Sequence, residues 1–381
     1  MTNYFQLTNL NNRLTQVISV ANKLPGLNLD TEFVRALIDR SIDVIVDQKL
    51  TLIDAYLFYN CSLLKTVYCP LVTDIGHDAF YGCGNLTIVN TPLVTSIGAS
   101  VFQNCYSLTS ADFPLVTSIG NYAFDSCSAL ATANFPLATS IGSDAFYGCT
   151  NLSTVYSPLV TSIESYAFQN CSSLTTVDFP LVTSIGQYTF NKCTKLTTAN
   201  LPQSTSIDIQ AFYGCTKLTT INAPLVSNIG NYAFQNCSSL TTAHFPLVTN
   251  VGINVFRSCS ALTSIDFSSA TSIGNYSFYG CTKLTTADFP LVTSIGTYAL
   301  QRCSALKTLI LRSIMMATMS NSNALTSTPI ASGTGYIYVP RSLVNTYKSA
   351  TNWSKYANQF RALEDYTIDG TITGEFDTTK I

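Results

Sequence analysis

The sequence predicts an α/β repeat solenoid, a right-handed coil of about twelve turns with 22 residues in each turn. Cysteine recurs at this interval from Cys61 to Cys303, and a leucine stands three residues after each of these cysteines. An Ile-Gly pair and a Phe recur between successive cysteines in most turns. A unit this short cannot bury its apolar side alone, so the turns must stack like upon like along one axis.

Each turn is predicted to hold three segments in a fixed order. Leu174, Val177 and Phe179 have the L-x-x-L-x-L spacing of a leucine-rich-repeat strand, which we expect to line the concave face. Pro180 ends this strand because proline has no N–H to donate, and an extended convex segment follows. Tyr188 to Cys193 has the length of one short helical turn, which would return the chain to the next strand.

The repeat register continues upstream into a degenerate capping repeat over residues 39–60. Its inward positions would be filled by Ile42, Ile45, Ile53 and Phe58. Thr31 to Asp39 has helical spacing and is predicted to form a helical N-cap. Further upstream, apolar residues alternate at spacings of three and four, as in a coiled-coil seam: Leu7, Leu10, Leu14, Val17, Ala21 and Leu24. This segment is either a short helix packed on the cap or a helix through which the chain forms homo-oligomers.

The register fades after Leu311, and a mixed C-terminal cap is predicted beyond it. Ser313 to Gly335 would be irregular, Tyr336 to Val339 a strand, and Ser342 to Phe360 a helix with a break near Thr351-Asn352. Asp369-Gly370 is a hairpin-turn signal. The predicted divisions are therefore residues 1–60, the solenoid over 61–312, and the cap over 313–381.

Composition excludes two classes of partner. Charged residues make up 10% of the chain, and 19 Lys and Arg against 21 Asp and Glu give a formal charge of -2, so no cationic field would attract nucleic acid. No apolar run approaches the ~18 residues of a membrane-spanning helix, so no membrane span is expected. The first thirty residues also lack the pattern of a secretion signal.

The repeat resembles that of BspA-type leucine-rich-repeat proteins, whose signature is L-x-x-I-x-x-P followed by V-x-x-I-G-x-x-A-F-x-x-C. The resemblance covers roughly residues 50 to 310, with a unit one residue shorter than the common form. It implies a bacterial or phage-encoded protein, extracellular or surface-associated, that uses the solenoid for adhesion. The segments Tyr338-Val339-Pro340, Asn352-Trp353-Ser354 and Tyr366 to Gly370 also look like endings of such proteins in gut bacteria and their phages.

The cysteine column is open to three explanations: metal ligands, disulfides or buried thiols. Zinc sites need closely spaced ligand pairs, whereas these cysteines are 22 residues apart and only His77 and His244 accompany them. Disulfides between successive turns would distort an even stack. We therefore expect buried thiols that act as small hydrophobic groups with a weak S–H donor, and we expect Cys69 in the core too.

No catalytic constellation, metal site or cofactor site is evident, and we expect no enzyme activity. The candidate binding residues stand seven after each cysteine, where strand alternation should point them outward beside a Thr/Ser column. They are Asn90, Asp112, Asn134, Tyr156, Asp178, Asn200, Asn222, His244, Asp266 and Asp288, with Tyr68 at the first such position. This stripe either binds a partner or only solvates the sheet.

The function predicted on this basis is a non-enzymatic binding or adhesion module that presents its concave stripe to a protein or a glycan. The alternative is a structural spacer or a tail-associated phage virion component that oligomerises through its terminal segments.

Overall fold

A computed structural model describes residues 40–368 together with 371 and 372. They belong to two compact units, residues 1–196 (unit 1) and residues 197–381 (unit 2). The helix predicted at Thr31 to Asp39 and the apolar seam from Leu7 to Leu24 lie outside the described residues.

Unit 1 is a parallel β-solenoid of seven coils, and each coil carries a three-residue strand followed by a two-residue strand. The three-residue strands are β1 (Val44–Val46), β3 (Thr66–Tyr68), β5 (Ile88–Asn90), β7 (Ser110–Asp112), β9 (Thr132–Asn134), β11 (Thr154–Tyr156) and β13 (Thr176–Asp178). The two-residue strands are β2 (Leu52–Ile53), β4 (Asp74–Ile75), β6 (Ser96–Ile97), β8 (Ser118–Ile119), β10 (Ser140–Ile141), β12 (Ser162–Ile163) and β14 (Ser184–Ile185). Successive coils therefore present two parallel ladders.

The pairing register in unit 1 equals the sequence repeat. In β9, Thr132 lies opposite Ser110 of β7 and Thr154 of β11, and each of these is at the same position in its coil. The two-residue strands pair in the same way, with Ile141 opposite Ile119 and Ile163. Because each residue meets its own equivalent, every apolar column becomes a continuous stack.

The core of unit 1 contains a ladder of phenylalanine rings. Phe102, Phe124 and Phe146 are fully buried, and the centroids of successive rings are 5.2 Å apart with nearly parallel planes. Ile42, Ile45, Ile53 and Phe58 of the first coil are also buried. Packing of this kind shields every coil through its neighbours, as expected for a repeat whose units have no core of their own.

The cysteines form a second buried ladder with a defined hydrogen bond. The thiol of Cys127 donates to the carbonyl oxygen of Phe102 in the preceding coil at 3.0 Å, and Cys149 does the same to Phe124 at 3.1 Å. All thirteen cysteines, including Cys69, are buried thiols. The sequence-based expectation of buried thiols is therefore confirmed, and the recurring acceptor explains why this column holds cysteine rather than alanine.

The third side of each coil, which we call the turn segment, is not helical as the sequence predicted. The N–H groups of Tyr122, Phe124 and Ser126 donate to carbonyls of the next coil. The N–H groups of Asp125 and Cys127 instead donate to carbonyls three residues earlier in the same coil and so close four-residue turns. Tyr122 and Ser126 have φ of 58° and 61°. A helix would use every N–H within its own segment and would exclude positive φ, so the coils instead share these bonds with each other.

Unit 2 has six further coils built in the same way and a seventh that carries only a first strand; the first strands of its last three coils have four residues each. The first strands of its coils are β15 (Thr198–Asn200), β17 (Thr220–Asn222), β19 (Thr242–His244), β21 (Ser264–Asp266), β23 (Thr286–Phe289), β25 (Thr308–Leu311) and β27 (Tyr336–Val339). The second strands are β16 (Ser206–Ile207), β18 (Asn228–Ile229), β20 (Asn250–Val251), β22 (Ser272–Ile273), β24 (Ser294–Ile295) and β26 (Thr318–Met319). Fourteen coils are thus described, rather than the roughly twelve that the sequence predicted, because the degenerate terminal repeats keep the pairing.

The few helical segments among the described residues all lie at the end of unit 2. One short 3₁₀-helix, η1, precedes β27, and three more, η2 to η4, follow it together with one α-helix and the last three strands. In chain order these are η1 (Ser322–Leu325, before β27), η2 (Arg341–Leu343), α1 (Val344–Ser349), η3 (Ser354–Gln359), β28 (Phe360–Ala362), η4 (Leu363–Asp365), β29 (Thr367–Ile368) and β30 (Thr371–Ile372). The helix predicted from Ser342 to Phe360, with a break near Thr351-Asn352, is present only as short segments: extended backbone at Ala350 ends α1 beside the predicted break, and η3 follows it.

Two buried aromatic side chains of this region hold the irregular segment after β25. Ala317 N–H donates to the hydroxyl of Tyr347 at 2.6 Å, and the indole N–H of Trp353 donates to the carbonyl of Ala317 at 2.7 Å. Strands β29 and β30 pair antiparallel, as the predicted hairpin requires, while its turn residues 369 and 370 lie outside the described residues.

Candidate functional site

The candidate binding residues are the third residues of the first strands of their coils, and none of them is buried. We call those of unit 1 and unit 2 the strand stripe of each unit. The stripe of unit 1 consists of Tyr68, Asn90, Asp112, Asn134, Tyr156 and Asp178, and that of unit 2 of Asn200, Asn222, His244, Asp266 and Asp288. Strand alternation points them outward because the residues on either side of each one point toward the core.

In unit 1, the structure brings neighbouring members of the stripe into contact. Asn134 lies opposite both Asp112 and Tyr156, and its amide donates to the carboxylate of Asp112 at 2.7 Å. Tyr156 is 59% exposed and is the most exposed aromatic residue of the stripe. The unit therefore presents a fixed amide and carboxylate pair next to an open phenol ring.

In unit 2, the stripe is held by three interactions along its length. The amide of Asn222 donates to the side-chain oxygen of Asn200 at 2.7 Å, and His244 Nδ1 lies 2.8 Å from a carboxylate oxygen of Asp266. Arg312 donates from Nε and Nη2 to both oxygens of Asp288, at 2.7 to 3.1 Å. Arg312 was visible in the sequence only as an exception to the proline column, and its pairing with Asp288 could not be inferred there.

Sequence reasoning missed an apolar end of the unit 1 stripe. Val44 of β1 and Ile88 of β5 are exposed in a column where most coils carry Thr or Ser, and Val46 of β1 is exposed at the stripe position of its coil. Val46 lies opposite Tyr68, and Thr66 separates Val44 from Ile88 in the paired strands. The available signal was the replacement of a Thr/Ser column by β-branched apolar residues. Clustered apolar exposure of this kind is typical of protein-contact surfaces.

Hydroxyl groups connect neighbouring coils immediately before both kinds of strand. In unit 1, the hydroxyls of Thr117 and Thr139 donate to the carbonyl oxygens of the equivalent threonines one coil earlier at 3.2 and 3.1 Å. In unit 2, Thr219 donates in the same way to Thr197 at 3.0 Å. A hydroxyl can donate to the backbone carbonyl of its equivalent in the preceding coil, whereas a charged residue in such a column would face a like charge in every coil. Uncharged hydroxyl residues are therefore favoured in these columns.

The turn segments carry a longer repeat that spans three coils. A Tyr-Gly-Cys sequence recurs there at residues 81–83, 147–149, 213–215 and 279–281. The glycines have φ of 69° to 74°, and non-glycine residues such as Asn170 and Arg302 adopt the same conformation in other coils, with φ of 62° and 61°. The tyrosines therefore occupy equivalent positions on one scaffold, whose other side chains differ from coil to coil.

The turn segments of unit 1 are acidic, with Asp54, Asp78, Asp125, Asp144 and Glu164 against Lys192 and Lys195. Desolvation by burial raises the pKa of Asp125, while hydrogen bonds from Ser126 and Gln103 oppose this and Asp144 adds to it. Desolvation also raises the pKa of Asp144, opposed by the hydroxyl of Ser143. These carboxylates are held by neutral donors rather than by cations.

The described residues offer no metal centre, because no group of three or more His, Cys, Asp or Glu side chains comes together in residues 40–368, 371 and 372. Within the same residues, no helix is long and apolar enough to cross a bilayer.

Comparison with known families gives a match that covers most of the chain. The family of the BspA type leucine-rich repeat region matches six copies, over residues 40–153, 117–241 and 227–338. No curated protein matches the sequence.

Solved structures support the fold. A leucine-rich repeat protein from Bacteroides ovatus is 24% identical, with a TM-score of 0.63 over 84% of this chain and 92% of that chain. A leucine-rich cell surface protein from Faecalibacterium prausnitzii is 24% identical, with a TM-score of 0.37 over 70% of this chain and 86% of that chain. The pneumococcal vaccine antigen PcpA is 14% identical, with a TM-score of 0.41 over 78% of each chain. Only the first superposition is close enough to compare folds.

Proposed function

The chain belongs to the BspA-type leucine-rich-repeat family, and from this premise we propose that it is a non-enzymatic binding module whose strand stripes engage a protein partner. The observation that carries the proposal is the contrast between uniform neighbouring columns and the stripe, whose residues change from coil to coil. A solvating surface needs no such variation, whereas a docking surface gains its specificity from it.

The surface chemistry favours a protein over a glycan at the stripe of unit 1. Tyr156 and Tyr68 are exposed rings, and Val46 and Ile88 add exposed aliphatic groups. Tyrosine and apolar side chains that are surrounded by polar groups are enriched among the residues that dominate protein interfaces. We therefore place the apolar anchors of the interface at β1 to β5 and at Tyr156, with the Asn134 and Asp112 pair as its polar contact.

The setting that we propose is extracellular or surface-associated on a bacterium or phage, as the family resemblance implies. We retain the division into residues 1–60, 61–312 and 313–381 as a proposal for which parts serve as caps and which as the docking array. Assembly of homo-oligomers through residues 1–30 stays a separate proposal.

The test is a selection of binders from a displayed library of extracellular protein fragments against the immobilised full chain. Binders should lose about tenfold or more in affinity for Tyr156→Thr, because a central tyrosine anchor contributes about 2 kcal/mol. Leu159→Thr is the matched control, since Leu159 is an exposed apolar residue of the same coil outside the strands. Binders that lose affinity only for Leu159→Thr would contradict the proposal. A chain that retains no binder and forms a trimer lost on deleting residues 1–30 would support the structural alternative instead.

A further inference from the structure

A cluster of arginine and tyrosine side chains lies on the turn segments of unit 2, away from its strand stripe. We call Arg257, Tyr276, Tyr279, Tyr298 and Arg302 the turn cradle. The guanidinium carbons of Arg257 and Arg302 lie 5.1 and 5.4 Å from the ring centroid of Tyr279. The ring centroids of Tyr276 and Tyr298 are 4.9 Å apart, and Arg257 is also 5.5 Å from Tyr276. Cation–π contacts thus hold two positive charges against one aromatic group.

Neither guanidinium of the cradle has a carboxylate partner among the described residues, whereas Arg312 pairs with Asp288 and Arg341 with Asp365. The turn segments of the three coils involved, residues 252–262, 274–284 and 296–306, contain Lys283 in addition and no Asp or Glu. This surface therefore carries one cation in each of three successive coils, with no compensating charge in those segments.

The scaffold does not require these arginines. Tyr147 occupies the position of Tyr279 in an earlier Tyr-Gly-Cys coil, and there Asp125 stands where Arg257 does and Asn170 where Arg302 does. Arg302 moreover adopts a left-handed backbone conformation that costs about 1–2 kcal/mol for a residue other than glycine or asparagine. Folding alone thus explains neither arginine, and their shared property is positive charge beside tyrosine.

We propose that the turn cradle binds an acidic polysaccharide, with its carboxylate or sulfate groups on Arg257 and Arg302 and its sugar rings against the tyrosines. Arg257 reaches Tyr279 from the coil before and Arg302 from the coil after. The two arginines start about two strand spacings apart, roughly 10 Å, and their side chains converge on one ring, so a polymer with repeated anionic groups can engage both. Guanidinium groups bind carboxylate and sulfate oxygens through paired N–H donors, and weak contacts that repeat along a polymer add up.

The other polyanions fit the surface less well. A nucleic acid would need an extended cationic field, which a chain of net charge -2 with acidic turn segments in unit 1 does not supply. A second copy of this chain could offer those acidic segments, but their carboxylates at Asp125 and Asp144 already accept hydrogen bonds from Gln103, Ser126 and Ser143. Both are outcomes that the experiment distinguishes.

The test measures binding of the full chain to chondroitin sulfate and hyaluronan by calorimetry at low and physiological salt, with dextran as the neutral polysaccharide. Arg257→Gln and Arg302→Asn introduce the residues found at the same positions one and three coils earlier, Gln235 and Asn236. Each should weaken binding about tenfold and reduce its salt dependence. Arg361→Gln is the matched control, because Arg361 also lies over a tyrosine, 4.4 Å from the ring centroid of Tyr336.

A second variant transfers the site. Asp144 stands where Tyr276 does and Tyr166 where Tyr298 does, so Asp125→Arg, Asp144→Tyr and Asn170→Arg together should build a cradle around Tyr147 and double the number of binding sites per chain. Absence of binding to both acidic polysaccharides at low salt would overturn the proposal, as would unchanged affinity in the Arg257→Gln/Arg302→Asn double variant. Equal binding to single-stranded DNA, or dimers in light scattering that this variant abolishes, would overturn it in favour of those partners. Because the cradle and the strand stripes share no residue, either proposal can fail alone.

Discussion

Tyr147 in unit 1 and Tyr279 in unit 2 stand at equivalent positions of the three-coil repeat, yet their surroundings have opposite charge. In unit 1, Asp125 occupies the position of Arg257 and is held by neutral donors, while in unit 2 Arg257 and Arg302 lie against Tyr279. The backbone below them is the same, with Gly148 and Gly280 at φ of 69° and 74°. In this fold the buried columns therefore determine the backbone, while the exposed residues can differ from coil to coil.

The largest expected effect is a loss of stability at alkaline pH, which would show whether both units depend on their buried thiols. Burial raises the pKa of Cys105, Cys149, Cys237 and Cys281 well above its usual value. Their contribution to stability is complete below the unfolded thiol pKa of about 8.5 and is lost as pH rises toward the folded pKa. At pH 10 the loss is about 2 kcal/mol for each thiol, so the ladder should make both units unfold cooperatively in alkali.

Circular dichroism between pH 7 and 10.5 measures this transition, and thiolate absorbance should rise in the same step. Replacing Cys105, Cys127 and Cys149 with alanine should raise the alkaline midpoint of unit 1 relative to that of unit 2. Native circular dichroism that persists while the thiols ionise would show that the ladder is not the cause.

A smaller loss of stability is expected when one phenylalanine is removed from the core of either unit. Phe124→Ala removes a ring 5.2 Å from both of its neighbours, and Phe256→Ala removes one 5.3 and 5.5 Å from its own. Each should lower the free energy of unfolding by about 3–5 kcal/mol, because it leaves a cavity in the stack. Urea denaturation of the two variants gives the comparison. If only one variant lowered the free energy of unfolding, the two units would differ in their cores as well as in their surface charges.

The turn-segment residues with positive φ allow a comparison of the free energy that this backbone conformation costs. Lys192 has φ of 60°, where the Tyr-Gly-Cys coils carry glycine. Lys192→Gly should stabilise the chain by about 0.5–1 kcal/mol, because glycine adopts positive φ without strain. Gly148→Ala should destabilise it by a similar amount. That cost would come from the backbone conformation alone, since the added Cβ meets nothing closer than 3.7 Å. Thermal melts measure both changes. If both variants lowered the melting temperature, side-chain contacts rather than φ would govern this column.

The smallest expected effect concerns Asp125 itself. Its pKa is raised by burial, so its contribution to stability is present below the unfolded carboxyl pKa of about 3.9 and is lost as pH rises through the folded pKa. Asp125→Asn should therefore stabilise the chain slightly at pH 7, within about 0.5 kcal/mol, and have no such benefit at pH 3. Melting curves of the variant and the parent at both pH values test this. A benefit that is equal at both pH values would contradict the assigned cause.

Much of the fold could be predicted from residue spacing, and some elements could not. The spacing of Leu174, Val177 and Phe179 predicted a strand, and the structure has β13 there. The turn Tyr188 to Cys193 was predicted to be helical from its length, yet Tyr188 and Lys192 have positive φ. Length alone cannot distinguish a helix from turns whose N–H groups donate to the next coil, because the acceptors belong to another repeat. The stripe positions followed from strand alternation, but the pairing of Asp288 with Arg312 did not.

By itself, the sequence determined which residues face inward and that each coil stacks on its neighbour in register. An exact repeat with fixed apolar columns has one arrangement that buries all of them, and that arrangement pairs each residue with its own equivalent. Only the tertiary structure decided the hydrogen bonds of the turn segments and the partners of exposed side chains. Those depend on which groups from different coils come within about 3 Å of each other, as with His244 and Asp266 at 2.8 Å, and spacing along one chain does not encode that distance.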